Sequence, residues 1–329
     1  MVTKDKELTY NSTLHAIKVL ACFSVVAIHI WLPGKIGAFY QIIARFAVPM
    51  FFLISGFYSY NISKNKIQNR IKKIFRLILR STFFYVLIFV WMFWREGNMQ
   101  FIFQNFNLTN IIRFVIFNRI SDLIGYLATP LWYLFAILYI YIYIYIYLYF
   151  SNKRLLLTKR WISILLLFSF IMEATISDSI FYRNFLFMGI PFFGIGILIA
   201  QKQKKIINCK IINKILILGT IIYPILIFLE YYILGNSFEI YISSVLATII
   251  LMIFAIKSPK AINIKILNEI GDKYATFVYI IHQFIIVIFK FLVSNVYILK
   301  FGTIFVFLIC CFLGVLFQFI KNRLLKRFS

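Results

Sequence analysis

Long apolar runs separated by short polar segments dominate the chain from residue 14 to residue 320. Most of the runs approach the roughly 20 residues that an α-helix needs to cross a bilayer. The segment 96–129 interrupts the series; it is amphipathic and rich in Asn, which predicts a loop carrying short interfacial helices. The pattern therefore predicts an all-α integral membrane protein with about ten transmembrane helices, near residues 14–32, 38–60, 81–95, 130–150, 161–176, 185–200, 214–234, 239–256, 274–293 and 302–320.

Composition supports this prediction and excludes several classes of protein. Of the 329 residues, 63% are hydrophobic and the mean hydropathy is +0.91, whereas an ordinary soluble domain has roughly 45–50% apolar residues. A soluble enzyme, a disordered chain and a secreted disulfide scaffold are excluded. The four cysteines fit neither a disulfide framework nor a zinc spacing, and the three histidines are far apart in sequence. We therefore expect no metal site.

The net charge of +25 is best interpreted as membrane topology. With ten spans, 26 of the 35 Lys and Arg residues fall on one side of the membrane and seven on the other. Because basic loops stay on the cytoplasmic side, this asymmetry predicts that both termini are cytoplasmic. The polar start of the chain is followed by no small-residue cleavage site, so the first apolar run is expected to be an uncleaved span. Nucleic acid is not an expected partner, since the Lys and Arg residues lie between apolar segments and no stretch is expected to interleave basic and aromatic residues on an exposed surface.

Polar residues inside apolar runs are the candidates for function, because each is costly in a bilayer unless it faces a cavity or a partner. Lys18 and His29 both lie in the first run. Eleven residues of helix place them about 20° apart around the axis and roughly 16 Å apart along it, on one face. That face would carry a cation and an imidazole across much of the bilayer. Alternatively, Lys18 extends to the inner headgroups and His29 caps the outer end of the helix.

Two further residues stand out. His282 lies in the middle of the apolar segment YATFVYIIHQFIIVIF, where either a structural hydrogen bond or a functional role would explain it. Arg45 precedes FAVPMFFLISGF, in which Pro49 and Ser55-Gly56 interrupt an apolar helix. Interrupted helices at membrane depth usually line cavities, although Arg45 could equally be an interfacial anchor. A carboxylate that orients a histidine could be any of several predicted on the outer side, namely Asp122, Glu173, Asp178, Glu230 and Glu239.

The basic loop before the third run has its own pattern. Arg70, Lys73, Arg76 and Arg80 recur at spacings of three and four residues, which places them along one helical face. Such a face suits either the anionic lipids of the inner leaflet or the phosphates of a nucleotide-containing donor.

Six segments, in order along the chain, resemble the membrane-embedded acyltransferase family 3, which includes bacterial O-acetyltransferases of surface polysaccharides. The first is KVLACFSVVAIHI, with a basic residue, a ten-residue gap and a histidine, and the second is FAVPMFFLISGF with an FF-x-x-SG block. The others are KKIFRLILR, PLWYLFAIL, GIPFFGIGIL with an FF-x-x-G block, and ATFVYIIHQF. The resemblance covers nearly the whole chain.

The resemblance implies transfer of an acyl group, most simply acetyl, from cytoplasmic acyl-CoA to a hydroxyl of an exported glycan such as capsular polysaccharide or a lipid-linked precursor. It implies His29 as general base or acyl carrier, Lys18 and His282 as further catalytic residues, and Arg45 at the acceptor. Arg70, Lys73 and Arg76 would bind the phosphates of acetyl-CoA.

The implied location is the bacterial plasma membrane, among membrane lipids. Residues 1–329 would form a single acyltransferase domain without a soluble hydrolase-like domain at the C-terminus. The alternative that the sequence leaves open is a transporter or exporter of a glycan or an acylated intermediate. Transporters often contain two similar halves, and no internal repeat is visible in this chain.

Overall fold

The computed structural model describes residues 10–151, 159–176, 178–235 and 237–327. The polar start before Tyr10 and the basic residues 153 and 154 lie outside these ranges. Throughout the described part the chain is helical and contains no β-strand, which confirms the all-α prediction. The α-helices are α1 (Ser12–His29), α2 (Gly34–Ala44), α3 (Ala47–Phe57), α4 (Lys64–Arg95), α5 (Met99–Asn105), α6 (Leu108–Phe117), α7 (Ser121–Ile124), α8 (Trp132–Ser151), α9 (Lys159–Thr175), α10 (Ile190–Gln201), α11 (Gln203–Asn208), α12 (Ile211–Leu234), α13 (Ile242–Lys257), α14 (Lys265–Glu269), α15 (Ala275–Leu292), α16 (Val296–Lys300) and α17 (Gly302–Arg327).

Seven helical segments within the described residues are long and apolar enough to cross a membrane. The remaining predicted runs coincide with shorter helices, α9, α10 and α13, of which α10 continues a π-helical turn at Phe185–Gly189. The multi-pass membrane class is therefore supported, while the number of ten spans and the cytoplasmic termini stay predictions. The third segment is much longer than its apolar run, because the basic loop continues into it without a break as the first half of α4.

The centre of the bundle is formed where α3 packs against α10, and two glycines make this contact possible. A Cβ atom on Gly56 would lie 1.9 Å from the backbone oxygen of Phe193, and one on Gly196 would lie 2.1 Å from that of Leu53. Both glycines therefore let two backbones approach more closely than any larger residue allows, as small residues do between membrane helices. Gly56 and Gly196 belong to the FF-x-x-SG and FF-x-x-G blocks, which explains these two patterns as one packing contact.

The two ends of the bundle differ in their chemistry. At one end the start of α1 is joined to the segment after α13: the Thr13 hydroxyl donates to the carbonyl of Ser258 at 2.6 Å. Lys257 donates at the same end to the carbonyls of Ile206 and Cys209. The opposite end holds the carboxylates predicted on the outer side and the short helices α5, α6 and α7. Most residues of α5 and α6 are exposed. The short helices agree with the prediction for segment 96–129.

Candidate active site

A narrow cavity near the end of the bundle that holds the carboxylates is lined by the two histidines predicted to be catalytic. His29 is the last residue of α1 and His282 lies in α15, and their ring centroids are 5.1 Å apart with the planes tilted by 39°. Val48 and Pro49 of α3 line the same cavity, together with Trp132 at the start of α8. We call it the histidine cavity. Its volume is about 40 Å³, so it holds a few atoms, since one water molecule needs roughly 10–15 Å³ by this measure.

The hydrogen bond of His282 defines which of its nitrogens is available. Its Nδ1 lies 2.7 Å from the backbone carbonyl oxygen of Tyr279. A carbonyl oxygen only accepts, so the neutral ring carries its proton on Nδ1 and has a lone pair on Nε2. This Nε2 is buried and has no hydrogen-bond partner among the described residues. An unpartnered basic nitrogen beside a second imidazole is the arrangement expected of a proton acceptor.

Three charged side chains lie beside the histidines. Arg45, at the junction of α2 and α3, pairs with the Glu239 carboxylate at 2.8 Å, and Arg183 pairs with the other oxygen of the same carboxylate. All three residues line the histidine cavity. Two guanidinium groups share the single carboxylate of Glu239. The Nε atoms of Arg45 and Arg183 are buried without a partner in the described part of the chain, which leaves donors available for an anionic oxygen.

The backbone around Glu239 is fixed by a second carboxylate. Glu173, near the end of α9, accepts the backbone N–H groups of Glu239 and of Ile240, the latter at 3.1 Å. Burial alone would raise the pKa of Glu239, but the charges of Arg183 and Arg45 outweigh it and lower the pKa to about 2. Glu239 is therefore ionised at every physiological pH.

A short 3₁₀ helix, Tyr126–Leu131, closes one wall of the histidine cavity. Its Thr129 and Pro130 line the cavity, and the Tyr279 hydroxyl donates to the carbonyl of Pro130 at 2.7 Å. Tyr279 therefore makes two hydrogen bonds at the cavity: its carbonyl orients His282, and its hydroxyl holds the 3₁₀ helix. One residue couples the orientation of an imidazole to the wall of the cavity.

Comparison with protein families assigns the chain that carries these residues to a known family. The model of the acyltransferase domain family matches residues 11–323, which is nearly the whole chain. The chain belongs to acyltransferase family 3. No curated protein and no solved structure shows a significant match. Membership of the acyltransferase family confirms the resemblance and makes the chain a membrane acyltransferase.

Of the site residues predicted from the sequence, the structure brings His29, His282 and Arg45 together in this acyltransferase. Lys18 lies elsewhere, about three turns before His29 on α1. It interacts electrostatically with Asp272 and with His15. A Cβ on Gly271 would lie 2.2 Å from the His15 carbonyl oxygen, so this glycine brings the π-helical turn Ile270–Tyr274 against α1 and Asp272 next to Lys18.

The three residues predicted to bind CoA phosphates differ from one another. Lys73 and Arg76 are exposed on α4, on a face away from its buried residues Ile67 and Ile78. Arg70 is engaged: it donates to the Ser59 hydroxyl at 2.7 Å and to the carbonyl of Tyr58 at 2.8 Å. Arg70 therefore ties α4 to the end of α3, and the phosphate role of all three stays a prediction.

Sequence reasoning missed Arg183 and Tyr279, and it did not select Glu239 from the carboxylates on its side. Arg183 was counted only as a basic loop residue, and Tyr279 is one of 21 tyrosines. Residues 45, 183 and 239 come from three separate connections, so no spacing along the chain relates them. Within the described ranges, no group of three His, Cys, Asp or Glu side chains is placed to hold a metal ion.

Proposed function

We propose that this membrane acyltransferase transfers an acyl group, most simply acetyl, from cytoplasmic acyl-CoA to a hydroxyl of an exported envelope glycan. The observation that carries the proposal is the pair of imidazoles, one with a free and oriented Nε2, beside two guanidinium groups whose Nε donors have no partner among the described residues. Acyl transfer to an alcohol needs these two features: a base for the hydroxyl and a positive group for the oxyanion.

The proposed step balances as follows. The histidine pair removes the proton of the acceptor hydroxyl as its oxygen attacks the thioester carbonyl. The negative charge that develops on the carbonyl oxygen is stabilised by the guanidinium groups of Arg45 and Arg183. The intermediate collapses with cleavage of the C–S bond, and the proton passes from the histidine pair to the CoA sulfur. The products are the ester and free CoA.

In this proposal His282 is the base, because the Tyr279 carbonyl fixes its tautomer and leaves Nε2 unprotonated. His29 is half-buried whereas His282 is fully buried, so His29 is the more accessible of the two imidazoles, which suits contact with the acyl group. Lys18 lies roughly 16 Å from His29 along α1. That separation is of the order of an extended pantetheine arm, so Lys18 would contact the donor between its phosphates and its thioester. Lys73 and Arg76 would bind those phosphates on the basic side.

The proposal is tested on the surface glycan of the organism that encodes the chain. Proton NMR of the purified glycan is compared for the intact gene, a deletion, and the His29→Ala, His282→Ala and His15→Ala variants. We expect base-labile acetyl signals that disappear in the deletion and in the first two variants. His15, outside the histidine cavity, is the matched control and should retain them.

Two outcomes would contradict the proposal. Acetyl signals that persist in the deletion would mean that this glycan is not the acceptor. Loss of the glycan itself from the surface, with normal acetylation of the material kept inside the cell, would indicate an exporter.

A further inference from the structure

A second and larger cavity lies beside the histidine cavity and has no role in the steps described so far. It is enclosed by the C-terminal half of α4, by α5 and α6, and by the segment that runs from α7 into the 3₁₀ helix. Its volume is about 480 Å³, within the range of roughly 300–1,000 Å³ typical of small-molecule sites. We call it the outer cavity.

The two cavities share the 3₁₀ helix as a common wall. Tyr126 and Leu127 line the outer cavity, whereas Thr129 and Pro130 line the histidine cavity. Three residues of 3₁₀ helix separate Tyr126 from Thr129, which corresponds to about 6 Å along the axis. The residues that line the two cavities are therefore only one turn of 3₁₀ helix apart.

The sizes of the two cavities assign different parts of an acceptor to them. The histidine cavity, at about 40 Å³, accommodates a hydroxyl and a carbonyl but not a sugar ring. The ring must then be held outside it. The outer cavity is the adjoining space of sufficient size, and it lies at the end of the bundle opposite the basic loops.

The lining of the outer cavity combines aromatic faces with polar groups. Phe93 and Phe101 are stacked with their centroids 4.7 Å apart, and Tyr126 is 59% exposed. The side chains of Asn105 and Ser121 line the cavity and make no hydrogen bond within the described part of the chain. Aromatic rings pack against the C–H faces of sugars, and free carboxamide and hydroxyl groups bond to sugar hydroxyls. A lipid tail would leave these polar groups without partners.

The charges at the wall favour an uncharged ligand. Arg113 pairs with Asp122 at 3.4 Å and with Asp178 at 3.6 Å, and Arg119 pairs with the same two carboxylates, at 2.8 Å for Asp122. Two cations thus balance two anions, and the cluster has no excess charge to attract an ionic group.

We infer that the outer cavity is the acceptor subsite, and that it binds one uncharged sugar unit of the glycan while the hydroxyl to be acylated reaches past the 3₁₀ helix to the histidines. This inference rests on the proposed function. It adds a substrate class, a neutral hexose or N-acetylhexosamine unit, and the residues that recognise it.

The test separates recognition of the sugar from catalysis. The double variant Asn105→Ala/Ser121→Ala removes the two free polar side chains, and Gln104→Ala, an exposed neighbour outside the lining, is the matched control. The probe is a set of oligosaccharides of two to six units, obtained by partial acid hydrolysis of the encoding organism's surface glycan. Binding is measured without acyl-CoA, on the full chain in lipid nanodiscs.

We expect the double variant to bind the oligosaccharides about tenfold more weakly, from the loss of two hydrogen bonds, and Gln104→Ala to bind as the wild type does. In acyl transfer the double variant should raise the KM for the oligosaccharide by a similar factor, with kcat and the KM for acyl-CoA within about twofold. His29→Ala and His282→Ala should bind the sugars normally.

Unchanged binding in the double variant would overturn the inference, and so would phospholipid that co-purifies with the wild type and is lost from the double variant. Because binding is measured without catalysis, its result stands even if no acyl transfer is found. Failure of acyl transfer with every glycan fraction would instead overturn the proposed function.

Discussion

The carboxylate of Glu239, which pairs with both Arg45 and Arg183, provides the sharpest test of how the charged residues of the site are arranged. Its side chain is 15% exposed, and those of Arg45 and Arg183 are 10% and 26% exposed. The Glu239→Gln variant keeps the shape of the side chain but removes the carboxylate with which two largely buried guanidinium groups pair. Removing one partner of a buried ion pair typically costs about 3–5 kcal/mol, because the other charge stays buried and unpaired.

The expected result is a fall in the thermal unfolding midpoint of about 6–20 °C in nanodiscs, on the scale of roughly 2–4 °C per kcal/mol for larger domains. Asp178→Asn is the matched control: Asp178 also pairs with two arginines, but all three side chains are 31–41% exposed. Solvent screens such pairs, and we expect a cost below about 1 kcal/mol. A midpoint for Glu239→Gln equal to that of Asp178→Asn would refute the interpretation of the cluster as a buried ion network.

The same variant has a defined pH dependence. The pKa of Glu239 is lowered from 4.5 to about 2, so the stabilisation by its charge is fully present above pH 4.5 and is lost as the pH falls through about 2. The stability difference between the wild type and Glu239→Gln should therefore be constant above pH 4.5 and shrink below it. A difference that instead changes between pH 6 and pH 8 would contradict the assignment of this stabilisation to the charge of Glu239.

Three further predictions follow from individual contacts. Tyr279→Phe removes the hydroxyl that donates to the Pro130 carbonyl and should lower kcat severalfold while costing about 1 kcal/mol in stability. An unchanged kcat would mean that the position of the 3₁₀ helix does not affect catalysis. Gly56→Ala forces a Cβ against the Phe193 carbonyl and should lower the free energy of unfolding by about 3 kcal/mol. The control variant Gly219→Ala meets only the end of the Ile250 side chain and should be tolerated. Equal losses of thermal stability in the two variants would contradict the packing argument. Arg70→Ala should destabilise the fold with little change in the KM for acyl-CoA. The double variant Lys73→Ala/Arg76→Ala should raise that KM while its stability is unchanged. If steady-state kinetics show a raised KM for Arg70→Ala and not for the double variant, Arg70 would be the residue that contacts the donor.

The fold class and part of the site could be predicted from the sequence, for physical reasons that are specific to membranes. A bilayer requires long apolar helices, so the helices can be recognised in the sequence as long runs of apolar residues. It also makes buried polar groups costly, which singled out His29, His282 and Arg45 from a chain of 329 residues. The periodicity of α1 placed Lys18 and His29 on one face but could not show that only His29 faces the cavity.

The rest depends on contacts between distant connections. Glu239 and Arg183 lie between apolar runs, where a charge is ordinary, and they acquire meaning only when the folded chain brings them to Arg45. The glycines of the two FF blocks were visible as a pattern, but their mutual packing was not. The outer cavity is formed by short helices whose relative positions follow from no periodicity.

The central claim is that the histidine pair catalyses acyl transfer to a glycan hydroxyl. The most direct measurement is release of free CoA from acetyl-CoA by the purified chain in nanodiscs, with and without glycan oligosaccharides, for the wild type, His29→Gln and His282→Gln. We predict that CoA release depends on the glycan, that it yields one ester per CoA, and that each variant falls by about 10²–10⁴-fold while remaining folded. Variants that retain the wild-type rate, or CoA release that is independent of the glycan, would contradict the account.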